Sequence, residues 1–451
     1  MQEVIPVSNR TPYSLVDVNE VSVPSLAQRR HGQDLVIGVD VAKGELVACV
    51  VGSDRSFERP WRVKSPGQVR TLVDQLTQLR RHCPLVVAME SSGTYGDVLR
   101  QALADAGVEV RRVSAKAVKD YSETFDGVPS QHDGKDAAII GTLAQSGHGK
   151  TWAWHDRDDE ASQALRYFVR RLDTAQRIKQ VFCGKLESLL ARHWPEASAL
   201  LSQSGATLTR ALHRWGNPRL LAADEQAPAL LKGFGGHYLS EQKIGRVIDS
   251  ARSTVGVRMN AWSIREMCDV AGAIVKQRKR ILRCRRELKK LTRNNRVIQA
   301  QAPAVGLVTA CVLWMCLGDP LNYPSAAAYR KAMGLNLKER SSGMHKGKLS
   351  LSKRGQRLTR KWLYFSALRW MREPSVKRWV EKKKARDGGR GDKAAVGVMR
   401  RLALAAWHTG QGEAFDPARL FPGAGVRPRA AGAGGEGGDG GERGEGGGPM
   451  S

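Results

Sequence analysis

Residues 35–52 constrain the fold of this chain more than any other stretch. LVIGVDV (35–41) is a continuous apolar run, AKGE (42–45) is turn-like, and LVACVVG (46–52) is a second run. Two β-rich runs around a short glycine-containing turn predict a hairpin. One residue disturbs the pattern: Asp40 lies inside the first run, where a charge is costly unless a cation or a donor satisfies it. Further on, WRVK (61–64) supplies a third strand, and Ser65 N-caps a helix with Val69, Leu72, Val73, Leu76 and Leu79 at helical spacing. PLVVAME (84–90) reads as a fourth strand, 94–106 as a helix and VEVRRV (108–113) as a fifth strand. A polar loop then runs to about 131, and HDGKDAAIIGTLAQS (132–146) begins another helix. The order β-β-β-α-β-α-β-loop-α predicts an α/β domain with mixed strands over 34–150. Residues 1–33, polar with little periodicity, read as an N-terminal arm.

The rest of the chain reads as helix. Leu165, Phe168, Leu172, Ala175, Phe182, Leu186 and Leu189 mark one long amphipathic stretch within a helical region over 151–300. Met267, Val270, Ile274, Gln277, Ile281, Cys284, Leu288, Leu291, Asn295 and Ile298 alternate by three and four, an a/d seam with polar breaks at Gln277 and Asn295. Such a seam fits either a coiled coil that dimerises or a long helix packed within its own domain, and heptads alone do not choose. Residues 301–412 read as a compact, basic, helical domain, and 413–451 as a glycine-rich flexible tail. The fold class is therefore α/β plus all-α.

Charge narrows the partners. The chain has 73 Lys and Arg against 44 Asp and Glu, a net +29 with a pI near 10.2, which argues for a polyanion. The longest apolar run, 305–317, is too short to span a bilayer, and the start lacks the layout of a secretory signal. No membrane role and a cytoplasmic location are expected. The seven cysteines are scattered and never form a CxxC, so neither a disulfide framework nor a zinc site is expected. Between 276 and 296 eleven Lys and Arg face one acid, Glu287, and 346–372 interleaves cations with Trp362, Tyr364 and Trp370. Arg278, Lys279, Arg283, Arg286 and Lys290 in the first stretch are expected nucleic-acid contacts. So are Arg340, Lys346, Lys348, Lys353, Arg354, Arg357 and Arg360 in or beside the second. Residues 305–309 could open a helix onto a phosphate. His193 and His213 lack ligand spacing, and the tryptophans at 152, 154, 194, 215 and 262 read as packing residues.

Four carboxylates stand apart from this basic background. Asp40 lies in the first strand, Glu90 ends the fourth, and Asp133 and Asp136, three apart, share one face of a helix. An RNase H/RuvC-like fold brings those three places together, and clustered carboxylates suit Mg²⁺, whose shell a phosphate substrate completes. The plain alternative is an incidental set of strand-end and helix-start acids, Asp133 favoured there by the helix dipole.

GVDVAKGEL (38–46), AMESSGTYGDVL (88–99) and HDGKDAAIIGTLA (132–144) resemble the acidic motifs of the IS-one-ten insertion-sequence transposases, relatives of the Piv DNA invertases. APAVGLVTACVLWMCLGDPLNYPSAAAYRKAMGL (302–335) and KERSSGMHKGKLSLSKRGQRLTRKWLYFSAL (338–368) resemble that family's C-terminal transposase domain. The resemblance implies a RuvC-like domain whose DEDD acids, here Asp40, Glu90, Asp133 and Asp136, bind Mg²⁺. It also implies a coiled-coil insertion and a C-terminal domain carrying a serine nucleophile, here Ser342, with Ser341 as the fallback. It implies donor and target DNA as substrates, a structured noncoding bridge RNA as guide, and a dimer or tetramer. Departures stand at Gln131, where the family usually has Lys, at Ala304, where Gly is frequent, and at Gln356, where Asn is common. The rival expectations are a RuvC-like endonuclease that uses metal-activated water, and a non-catalytic RNA/DNA-binding coiled-coil protein.

Overall fold

A computed structural model describes residues 12–90, 93–128, 132–152, 160–342 and 345–422, and at 340–342, 345, 346 and 348 the backbone alone. Residues 1–11, Ser91, Ser92, Gln131, Trp154 and the tail from 423 lie outside the described residues. The chain forms two compact units, 1–158 and 159–451.

The first unit is a seven-stranded mixed sheet. Its strands are β1 (Val16–Asp17), β2 (Leu35–Val41), β3 (Glu45–Val51), β4 (Trp61–Lys64), β5 (Leu85–Glu90), β6 (Val110–Val113) and β7 (Lys150–Thr151), in the order β1-β4-β3-β2-β5-β6-β7. β2, β3 and β4 form an antiparallel meander, while β5 lies parallel to β2 and β6 parallel to β5. That topology is RNase H/RuvC-like. Helices α1 (Val23–Arg29), α2 (Val69–Arg80) and α3 (Asp97–Asp105) accompany α4 (Ala115–Phe125) and α5 (Asp133–Gln145). β2 is covered on both faces, which is why it reads as an unbroken apolar run. Leu35, Ile37, Val39 and Val41 join Leu72, Leu76 and Leu79 of α2 in one core, and Val36 joins Ile139, Ile140 and Leu143 of α5 in another.

Two expectations for this unit change. Within the segment read as an arm, Val18, Val23, Leu26 and Ala27 are buried in the sheet's core, and β1 pairs with β4. The loop expected up to 131 contains α4, which seats Val118 against α5's face of the sheet.

The second unit is mainly helical. Two long helices, α6 (Glu160–His193) and α12 (Ala261–Leu291), pack along each other, with α7 (Ala197–Leu200), α8 (Ala206–Trp215), α9 (Pro218–Ala223), α10 (Ala227–Gly235) and α11 (Glu241–Ser253) between them in sequence. The seam residues Met267, Val270, Ile274, Gln277, Ile281, Cys284 and Leu288 are all buried within the chain itself, so their partner is in cis. The helix ends at Leu291, because Asn295 accepts from the Ile298 N–H and N-caps the next helix instead of continuing the seam. Trp194 and Trp215 are buried, but Trp262 is 76% exposed and is no packing residue. His193 and His213 each donate through Nδ1 to a backbone carbonyl, that of Val257 at 2.9 Å and that of Cys268 at 3.1 Å.

Beyond α12 come α13 (Arg296–Val305), α14 (Leu307–Leu317), α15 (Ala326–Ala332), a hairpin of β8 (Leu337–Ser342) and β9 (His345–Leu351), α16 (Arg357–Met371), α17 (Pro374–Arg386), α18 (Gly391–Gly410) and α19 (Pro417–Leu420). This region was expected to be helical throughout, and the hairpin departs from that. Among the described residues no helix is long and apolar enough to cross a membrane. All seven cysteines are free.

Candidate active site

Strand alternation decides which side chains meet α5. Val36, Gly38 and Asp40 share one face of β2, and Val36 packs against α5. Glycine is needed where helix and strand cross: a Cβ on Gly38 would collide with the Ala137 carbonyl oxygen and the Gly141 nitrogen. A Cβ on Gly141 would lie 2.5 Å from Val51 Cγ2. With both positions bare, α5 rests directly on the backbone of β2, and its first turn, carrying Asp133 and Asp136, comes to the end of the strand that bears Asp40.

Glu90 reaches the same place through the sheet. β5 is parallel to β2 with Ala88 opposite Gly38 and Met89 opposite Val39, so Glu90 stands level with Asp40. Ala88 packs on the α5 side, and two residues on, Glu90 shares that face. Ser91 and Ser92, which follow it, lie outside the described residues.

The electrostatics record the convergence. Burial, then the charges of Asp133, Asp136 and Glu90, raise the Asp40 carboxyl to about 6, against one opposing hydrogen bond from the Val41 N–H at 2.9 Å. Glu90 is raised by burial and by Asp136. Asp136 is raised by burial and by Asp133, with His132 and Lys135 opposing. None of the four acids is in an ion pair with a described residue. Lys135 lies between two of them, but its ammonium turns away, donating at 2.6 Å to both the Asp126 carboxylate and the Val128 carbonyl.

The donor set fits a hard divalent cation, since none of the four clustered carboxylates has an ion-pair partner among the described residues. Among the described residues no three acids form a ready-made metal cage.

α5 is fixed at its start by a small network. His132 N-caps it through Nδ1, 3.2 Å from the Lys135 nitrogen. Tyr13 packs edge-on against His132 and donates to Asp126 Oδ2 at 2.9 Å. The residue two before Asp133, Gln131, lies outside the described residues. Neither Tyr13 nor Asp126 was singled out from sequence; no local pattern marks residues 113 apart that meet over a helix start.

In the second unit, Ser342 ends β8 and pairs with His345, beside the turn of the hairpin. The register slips between Arg340 and Ser342, and such bulges are over-represented next to active sites. Ser341 is the residue spanned by the slip. The side chains of Arg340, Ser341, Ser342, Lys346 and Lys348 are outside what the structure describes.

The basic residues divide into two groups. Lys279, Arg283, Arg286 and Lys290 are exposed on α12, and Lys353, Arg354 and Arg357 are exposed at the exit of the hairpin. Arg278 instead donates to the Ser204 carbonyl at 2.8 Å. Arg360 is a structural clamp: its Nη1 donates to the Met333 and Gly355 carbonyls at 3.1 and 3.0 Å, tying together the hairpin's two ends. Just before the helix start at 305–309, the last carbonyls of α13 are tied to α16. Ser366 of α16 donates to the Val305 carbonyl at 2.6 Å, and Trp370 Nε1 donates to the Ala304 carbonyl at 2.6 Å.

Comparison with known proteins gives two family matches. A transposase family model, that of the DEDD transposases of IS110, matches residues 37–195. The model of the transposase IS116/IS110/IS902 family matches residues 298–381. Among solved structures, the chain is similar to Thermus thermophilus RuvC in complex with a Holliday junction substrate, at 21% identity over 26% of this chain and 99% of that one, TM-score 0.21. It is also similar to a second Thermus thermophilus RuvC structure, at 19% identity over the same shares, TM-score 0.20. None of the curated proteins compared matches.

Proposed function

We propose, on the premise that this chain belongs to the IS110 family of transposases, that it cuts and rejoins DNA at a mobile element through a phosphoserine on Ser342. Donor and target DNA are its substrates, and a structured noncoding bridge RNA that pairs with both supplies the choice of sequence. Asp40, Glu90, Asp133 and Asp136 would hold Mg²⁺. When bound, that ion supplies charge stabilisation to the oxygens around the reacting phosphorus. The observation that carries the reading is the gathering of these four acids, two of them from a helix that can lie on β2 only because Gly38 and Gly141 lack side chains.

The serine supplies what a recombinase needs beyond cutting. Its hydroxyl loses a proton, and Oγ bonds to phosphorus while the bond from phosphorus to one sugar oxygen breaks. That oxygen leaves and takes a proton, giving a free strand hydroxyl. The diester is kept as a serine–phosphate bond, so the hydroxyl of another strand reverses the step without any nucleotide cofactor. Lys338, Arg340, His345, Lys346 and Lys348 surround the serine in sequence and supply positive charge for the scissile phosphate. Exchange between two duplexes calls for a dimer or tetramer.

The test is strand exchange with purified protein, bridge RNA and two DNA duplexes. Asp40→Ala and Ser342→Ala should each abolish exchange while retaining RNA binding. Exchange at wild-type rate by Ser342→Ala would remove the covalent mechanism and leave a metal-dependent endonuclease using water.

A further inference from the structure

Residues 13–16 cross the start of α5. They precede residue 37, where the family likeness begins, so that likeness gives them no role. Two anchors hold the segment to the sheet side. The Val16 N–H donates to the Pro60 carbonyl at 3.0 Å as β1 pairs with β4, and Asp17 accepts from Gln68 Nε2 at 2.9 Å. Ahead of these anchors, Tyr13 and Leu15 pack with Phe57 and Phe125 over a small core of Val47, Cys49 and Val51 from β3 and Ala137 and Ala138 from α5.

The segment meets α5 at the turn that carries the acids. A Cβ on Gly134, the residue after Asp133, would lie 2.7 Å from the Tyr13 carbonyl oxygen and 3.4 Å from Leu15 Cδ2. The segment's backbone therefore rests directly on the helix. The Tyr13 side chain grips the same turn from two sides. Its ring, stacked on Phe57 at 5.5 Å, meets the capping residue His132 edge-on at 4.9 Å, and its hydroxyl donates to the Asp126 carboxylate that anchors Lys135. Carboxylates hold an ion only while their mutual placement is kept, and groups that orient ligands without touching the ion change its affinity by about 10- to 100-fold. We propose that Tyr13 is a positioning residue. With Leu15 it forms a strap that sets the first turn of α5, and so the affinity with which Asp133 and Asp136, beside Asp40 and Glu90, take Mg²⁺, a role that rests on the metal reading of these acids and not on Ser342.

Isothermal titration of Mg²⁺ into the full chain without nucleic acid tests it, beside hydrogen exchange in chelator. Tyr13→Ala should weaken Mg²⁺ binding by about 10-fold, the lower end of that range, and should speed exchange at the amides that open α5. Tyr13→Phe keeps the ring on His132 and lacks only the donor to Asp126, so it should recover most of the affinity. Gly134→Ala lifts the strap from the helix side. Combined with Tyr13→Ala it should lose no more than the weaker-binding single variant, since both act through one contact. Val23→Ala, which opens the core on the other face of the sheet, should lower the melting temperature and leave Mg²⁺ affinity unchanged. Wild-type affinity in both Tyr13→Ala and Gly134→Ala would overturn the proposal. So would losses that multiply in the double variant, or a Val23→Ala protein that binds Mg²⁺ as weakly as Tyr13→Ala. A wild-type chain that binds no Mg²⁺ would overturn the four-acid site and this role with it, whereas wild-type binding that is lost in Asp40→Ala keeps the site whatever Tyr13 does.

Discussion

Replacing Asp40 by Asn should make the metal-free protein more stable while ending its catalysis. The Asp40 carboxyl is raised from 3.8 to about 6 by burial and by Asp133, Asp136 and Glu90, a change of about two units worth about 3 kcal/mol undiscounted. The group is partly exposed, so screening reduces this to about 1–2 kcal/mol. The sign follows from proton binding. Between about pH 4 and 6 the folded state binds the proton more firmly than the unfolded chain, so this acid's contribution to stability falls as pH rises through that window. Asn keeps the side-chain oxygen that accepts from the Val41 N–H and lacks the charge. Its advantage should therefore be near zero below pH 4 and full above about pH 6.5. For a unit of this size, 1–2 kcal/mol corresponds to about 3–6 °C. Scanning calorimetry of both proteins in chelator at pH 3.5, 5 and 7.5 reads the difference. Adding Mg²⁺ at ten times its dissociation constant should return about 1.4 kcal/mol to the wild type and less to the variant. A pH-independent difference, or a less stable Asn variant at pH 7.5 in chelator, would refute the reasoning.

Three further outcomes are expected. Gly141→Ala should destabilise the first unit by about 1–3 kcal/mol through overpacking against Val51, and it should lower Mg²⁺ affinity because α5 is pushed off β2; isothermal titration checks the second effect. Lys135→Met removes the charged bonds to Asp126 and Val128 and should cost about 1.5–3 kcal/mol, visible as faster hydrogen exchange at the start of α5. Arg360→Gln should loosen the hairpin without altering the salt dependence of DNA binding, whereas Lys353→Gln or Arg354→Gln should each lower the duplex slope by about 0.9.

The legible parts of the molecule are those whose burial is written as a simple period. The strands from 35 to 113 and the helix with Val69, Leu72, Val73, Leu76 and Leu79 all appear where their apolar spacing puts them, and those five residues are buried. The four acids were legible as residue types at strand ends and a helix start. What brings them together was not, since it rests on Gly38 and Gly141 meeting across 103 positions. Segment 16–29 hides its role because only Val18, Val23, Leu26 and Ala27 turn inward, too few for a period. The hairpin was missed because KERSS and HKGKLSL carry no alternation of apolar residues: Lys338, Glu339, Leu349 and Ser350 are all exposed. Arg360 and Arg278 show a different limit. A guanidinium that ties down carbonyls and one that waits for phosphate have the same letter, and only the fold separates them. Asn295 likewise occupies a seam position in the sequence and serves as a helix cap in the structure.

The most direct measurement is peptide mapping of the protein after reaction with an element-end duplex that is trapped, denatured and digested with nuclease and protease. The account predicts a nucleotide remnant on the peptide that contains Ser342, present only with a divalent cation and lost in both Ser342→Ala and Asp40→Ala. Cleaved DNA with free ends and no modified serine, or a remnant that persists in Ser342→Ala, would contradict it.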